Sequence, residues 1–234
     1  SEVLIMSEFF NIVPGANQLP NIGVHIDELN PFVFQQLKKD CLEGKEKVEK
    51  HFNTRTGDIL QMFHQDMPKD IFFHEPTKSK KGLEVEVLQR CHKLCLQYPE
   101  YMDRLSYYSK MFDDGTPDFE LFVERFWINY QRPGEFIPLH QHSGIFSFVV
   151  WVSLPEITAS NNNQNYDLRK GYQGQFEFAY TDMLGQVKTT RMSGDKSWEG
   201  KICVFPAGLH HQVYPHYEDD LRITVSGNIR AKYD

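Results

Sequence analysis

Residues 134–144 read Gly134-Glu135-Phe136-Ile137-Pro138-Leu139-His140-Gln141-His142-Ser143-Gly144, and the chain runs on as Ile145-Phe146-Ser147-Phe148-Val149-Val150-Trp151-Val152-Ser153. The second part is β-branched and aromatic and is bounded by glycine, which predicts a strand over 144–153. The first part carries a His-x-His pair. In extended chain, residues i and i+2 share a face, so His140 and His142 can aim two imidazoles at one point. Neutral imidazole suits Fe, Zn, Cu and Ni. A lone histidine is usually a packed or surface residue; the pair between Pro138 and Gly144 is what raises metal binding as a reading.

Working outward, similar short runs fill the chain from Asp118 on, separated by Gly, Pro and Asn. Strands are predicted over 119–131, 144–153, 174–181, 186–192, 200–205, 210–214 and 221–230. That many short strands with turn signals between them point to a β-sandwich, barrel or jelly roll. The polar stretch 156–173, with Asn161-Asn162-Asn163, reads as a long loop. Before Asp118 the pattern is different. Residues 1–30 read as a short strand or irregular lead-in. A helix is predicted over 31–52, where Asn30 precedes Pro31 as an N-cap before a first-turn proline. Residues 53–82 read as loop, with Lys78, Lys80 and Lys81 as a solvated turn. Further helices are predicted over 83–97 and 100–110, and Asp113-Asp114-Gly115-Thr116-Pro117 is a turn. The chain is therefore read as one domain, with a largely helical part over 1–117 and a β core over 118–234.

Two more segments join the histidine pair. Phe205-Pro206-Ala207-Gly208-Leu209-His210-His211-Gln212-Val213 follows an apolar strand and delivers another imidazole after a tight turn. Two ligands close in sequence plus one distant ligand leave coordination positions open, as oxygen-activating non-heme iron requires. His216 lies beyond Pro215 beside Glu218-Asp219-Asp220 and reads as exposed. The last strand alternates: Leu221, Ile223, Val225 and Ile229 on one face, Arg222, Thr224, Ser226 and Asn228 on the other. The polar face either meets solvent or lines a cavity in which Arg222 clamps an anion, its planar fork matching a carboxylate. Thr224 would add a hydroxyl to that clamp. Asn129 and Asn228 are candidate pocket donors, whereas Trp127 and Trp151 read as packing.

The bulk composition narrows the function classes. A net charge of −7 argues against general nucleic-acid binding, which rests on excess Lys and Arg. Cys41, Cys91, Cys95 and Cys203 form no CxxC pair and read as reduced thiols. Residues 1–14 lack a basic lead into an apolar run, and no segment approaches the ~20 apolar residues of a membrane span. The expectation is a cytoplasmic protein. No GxSxG, Walker A or GxGxxG motif is present.

In order along the chain, Phe126-Trp127-Ile128-Asn129, Gly134 to His142, Ser147-Phe148-Val149-Val150, Phe205 to Val213 and Arg222-Ile223-Thr224-Val225-Ser226-Gly227-Asn228 resemble the iron and 2-oxoglutarate dependent oxygenases. The likeness is closest to a mostly uncharacterised branch of bacteria and phage. It covers roughly the second half of the chain, and the first 110 residues add almost nothing to it. The resemblance implies a double-stranded β-helix (a jelly roll), Fe(II) as metal and 2-oxoglutarate as co-substrate. It implies His140 as first ligand and His211, rather than His210, as the distal histidine. It implies Arg222, with Thr224 beside it, as partner of the far carboxylate of 2-oxoglutarate. The substrate, a small molecule or a protein, is not named by the residues, nor is the oligomeric state.

One departure stands out. The wider family has HxD or HxE, and here His142 stands where the carboxylate would be. Either three histidines hold the iron, or His142 is not a ligand; Glu135 swinging in as a substitute carboxylate is a separate, lesser reading. Two other readings remain at this point. One is a cupin-like three-histidine iron dioxygenase without 2-oxoglutarate. The other is a non-catalytic β-sandwich with a closed structural zinc, its fourth ligand coming from Cys203 or His210.

Overall fold

The computed structural model describes residues 23–52, 60–63, 78–98, 119–157, 172–182 and 184–233. The elements are β1 (His25–Glu28), α1 (Pro31–Phe52), β2 (Leu60–Phe63), α2 (Lys78–Gln97), β3 (Phe119–Gln131), β4 (Ile137–His140), β5 (Phe146–Ser153), β6 (Phe176–Thr181), β7 (Val187–Met192), a 3₁₀ turn (Lys196–Trp198), β8 (Lys201–Pro206), β9 (His210–Val213) and β10 (Arg222–Tyr233). The strands form two antiparallel sheets, β1-β8-β5-β10-β3-β2 and β4-β9-β6-β7. This is the double-stranded β-helix, or jelly roll, and the two helices among the described residues pack on one of its sheets.

Strand β5 shows why the fold forms. Phe146, Phe148, Val150 and Val152 face the helices, in one core with Leu37, Cys41, Leu83 and Leu94. Val149 and Trp151 face the other way, into a core between the sheets with Phe176, Phe178 and Phe205. Both faces are covered, so the run is apolar without alternation. Strand β10, beside β5, alternates because its two faces meet different surroundings. Ile223, Val225 and Ile229 join the helix-side core. Arg222 and Thr224 point between the sheets and are equally buried.

Helix α1 has the predicted bounds, and the Asn30 side chain accepts a hydrogen bond from Phe32 N at 2.9 Å, as an N-cap does. Helix α2 starts at Lys78 rather than at residue 83, so the lysine run is its first turn and not a loop. Lysine is a good helix former, and a charge run carries no breaker. Gly82 then lets the helices approach: a Cβ there would stand 3.0 Å from Val33 Cγ2. Strand β2 lies within the stretch read as loop. It pairs with β3 at Trp127–Tyr130, so the edge of β3 and not its own pattern makes it a strand. The helix expected over 100–110 and most of the loop over 156–173 lie outside the described residues.

Candidate metal centre and anion pocket

Strands β4 and β9 pair with His140 opposite His211, and the chain leaving β4 carries His142 to the same spot. One nitrogen from each of His140, His142 and His211 lies within 4.8 Å of the others. His142 Nε2 and His211 Nε2 are 3.1 Å apart. Two nitrogens at right angles on one ion, each about 2.1 Å from it, would be about 3 Å apart.

The other ring nitrogens prepare these for a metal. His140 Nδ1–H donates to the Pro138 carbonyl at 2.7 Å and His211 Nδ1–H to the Leu209 carbonyl at 2.8 Å. Each bond leaves the lone pair on Nε2, toward the cluster, which is the usual way a protein orients a ligating imidazole. Phe176 stacks on His211 at 5.2 Å, and Phe205 meets it edge-on at 5.0 Å. Trp127 packs against His142 at 5.3 Å. Burial, with His140 nearby, lowers the His142 pKa to about 4. Burial lowers that of His211 to about 3 against the opposing bond to Leu209. Both rings are neutral at neutral pH, the form that binds metal.

A stability prediction follows from these shifts and from His216, which burial also pushes down. Above pH 6.5 the three rings are neutral folded or unfolded and contribute nothing. Below it the unfolded chain takes up protons that the folded chain refuses, until pH falls to the folded values. The urea midpoint of the metal-free protein is therefore expected to fall steadily between pH 7 and pH 4.5. A midpoint independent of pH in that window would contradict it.

The same pocket has a cationic floor. Arg222 is completely buried. Its Nε donates to the Gly174 carbonyl at 3.2 Å and its Nη1 to Gln131 Oε1 at 3.4 Å, while Nη2 has no partner among the described residues. Burial lowers its pKa to about 9, which leaves it charged at neutral pH. Asn129, Thr224 and Ser226 line the same pocket as the guanidinium and the histidines. Asn129 Nδ2 donates to Thr224 Oγ1 at 3.2 Å and to Ser226 Oγ at 3.3 Å. A buried cation with one unpartnered nitrogen, in a pocket that three imidazoles also line, fits a ligand with a carboxylate at one end and a metal-chelating group at the other.

The sequence expectations divide accordingly. His140, His142, His211, Arg222, Thr224 and Asn129 share one pocket. Asn228 does not line it; it accepts a hydrogen bond from Ser147 Oγ at 3.0 Å. Glu135 is no substitute ligand, because Arg132 holds it through its backbone N–H and its guanidinium. His210 is exposed, and Cys203 is buried in the core between the sheets. Neither joins the histidines, so no closed four-ligand site forms among the described residues. His216, read as exposed, is completely buried. Its Nε2–H donates to the Gln131 carbonyl at 3.1 Å, and its carbonyl accepts from Gly134 N at 2.7 Å. These contacts turn the segment after Pro215 inward despite its acidic neighbours. Sequence reading missed Gln131 altogether; its only signal is its place at the end of β3.

A family model described as "Putative 2OG-Fe(II) oxygenase" matches residues 125–228. Residues 125–228 are a 2OG-Fe(II) oxygenase domain. All seven residues singled out above for metal or co-substrate lie inside that match. The oxygenase therefore uses Fe(II) and 2-oxoglutarate. A Pseudomonas putida prolyl-4-hydroxylase has a similar fold, with a TM-score of 0.51 at 12% identity over 89% of this chain and 92% of that one. AviO1 from Streptomyces viridochromogenes Tue57 aligns with a TM-score of 0.47 at 13% identity over 91% of this chain and 90% of that one. No curated protein matches the sequence. No described helix of the oxygenase is long and apolar enough to cross a membrane.

Proposed function

We propose that His140, His142 and His211 hold the Fe(II), that Arg222 and Thr224 receive the far carboxylate of 2-oxoglutarate, and that the enzyme hydroxylates a C–H bond. The observation that carries this reading is the shared pocket, which is lined both by the three clustered histidines and by a buried guanidinium whose Nη2 has no partner among the described residues. Bound iron with 2-oxoglutarate and dioxygen supplies oxidative decarboxylation to succinate and carbon dioxide, with insertion of one oxygen atom into the substrate.

The chain's own residues supply position and a dry site. Pro138 and Leu209 carbonyls fix two imidazole tautomers. Phe176 and Phe205 hold the His211 ring and keep water from it. Arg222 offers two parallel N–H donors to one carboxylate, which sets the direction in which the co-substrate lies. Asn129 orients the Thr224 hydroxyl beside it. The substrate, a small molecule or a protein side chain, would enter beside the histidines.

The test is an anaerobic visible spectrum of the metal-free protein after Fe(II) and then 2-oxoglutarate. A charge-transfer band that needs both additions is the expected result. Fe(II) binding without that band would overturn the 2-oxoglutarate assignment and favour a three-histidine dioxygenase that dispenses with it.

A further inference from the structure

Gln131 ends β3 directly opposite Arg222 in the β3–β10 ladder. It is completely buried. Its Nε2 donates to the Glu135 carbonyl at 2.6 Å and to the Tyr214 carbonyl at 3.2 Å. Two carbonyl acceptors dictate which end of this amide is nitrogen, since the flipped form would set oxygen against oxygen. The Oε1 is thereby fixed toward Arg222 Nη1, at 3.4 Å. The Gly174 carbonyl takes Arg222 Nε at 3.2 Å from another side. The guanidinium is thus oriented through two of its nitrogens, and its third, Nη2, is left without a partner. Arg222 forms no ion pair among the described residues, so nothing there neutralises its charge. A buried cation is costly until an anion arrives. An amide orients it without supplying that anion.

We propose that Gln131 is the positioning residue that aims Arg222 into the pocket, and that its being an amide rather than a carboxylate reserves the guanidinium charge for an incoming dicarboxylate. This rests on the reading of Arg222 as the carboxylate clamp. Glutamate at this position has the same reach but would form an internal ion pair, and the ligand would then compete with it. Leucine has a similar shape but would free the guanidinium to rotate and strand two buried carbonyls.

The experiment compares wild type with Gln131→Glu, Gln131→Leu and Arg222→Gln. Three quantities are read: Fe(II) affinity, anaerobic 2-oxoglutarate affinity of the iron-loaded protein, and the unfolding temperature with and without 2-oxoglutarate. Gln131→Glu is expected to weaken 2-oxoglutarate at least about tenfold, which corresponds to one lost charge-assisted contact. It should also remove the rise in unfolding temperature that 2-oxoglutarate gives and leave Fe(II) affinity unchanged; the stability of the metal-free variant sets an ion pair with Arg222 against the two hydrogen bonds lost to the Glu135 and Tyr214 carbonyls. A merely structural glutamine would lower stability and leave the 2-oxoglutarate affinity alone. Gln131→Leu should weaken 2-oxoglutarate while lowering stability, and it decides the matter if Gln131→Glu does not fold. Wild-type 2-oxoglutarate affinity in the Gln131 variants, with Arg222→Gln impaired, overturns this inference alone. Wild-type affinity in Arg222→Gln overturns the underlying reading of the clamp.

Discussion

Arg222→Gln is expected to weaken 2-oxoglutarate binding by about 100-fold or more, since two hydrogen bonds to a charged group are worth about 3 kcal/mol or more together. The effect is large because the guanidinium is completely buried and has one nitrogen without a partner, so its attraction for a carboxylate is little screened by water. Fe(II) affinity should be unchanged, because Arg222 is not among the grouped histidines. The unfolding temperature of the metal-free protein sets removal of a buried charge that has no counter-ion among the described residues against loss of the hydrogen bonds to Gly174 and Gln131. Anaerobic calorimetry on the iron-loaded protein measures the first two quantities. Undiminished 2-oxoglutarate affinity would mean that the far carboxylate is held elsewhere.

His211→Ala is expected to abolish usable Fe(II) binding, while His210→Ala leaves it intact. Loss of a group that merely orients a ligand costs about 10- to 100-fold in metal affinity, and loss of the ligand itself costs more. The two histidines are adjacent on β9 and so point to opposite faces. His211 is 3% exposed and faces His140 and His142, whereas His210 is exposed on the far side. Alanine at 211 also opens a cavity beneath Phe176, at a cost of about 2–4 kcal/mol by analogy with other large-to-small core changes. Circular dichroism of the metal-free variant therefore has to accompany the Fe(II) titration. Equal losses in the two variants would show that the distal ligand had been assigned to the wrong residue.

Much of the site is legible in local patterns. The period of two in extended chain is enough to put His140 and His142 on one face, and the same period separates Arg222 and Thr224 from Ile223 and Val225. The helix over 31–52 is legible from Asn30 and Pro31. Residues whose environment comes from distant chain are not legible. His216 sits among acidic residues in sequence, yet it is buried against the backbone of Gln131. Leu60–Phe63 is a strand only because β3 offers it an edge. Asn228 shares the polar face of β10 with Arg222, but it lies farther along the strand and meets Ser147 instead of the pocket.

By itself, then, the sequence determined the helix over 31–52, the strand-rich core that follows Asp118, the two faces of β10, and the residue types able to bind metal and anion. Those properties depend on neighbours a few residues apart, through side-chain alternation and capping. Only the tertiary structure decided which imidazole of His210 and His211 turns inward, that Arg222 is buried without a counter-ion, and that Gln131 lies across from it. Each of these depends on the register between strands far apart in the chain: 222 against 131, and 211 against 140. A shift of one residue in either register would turn the same side chains to the opposite face, and the histidines and the guanidinium would no longer share a pocket.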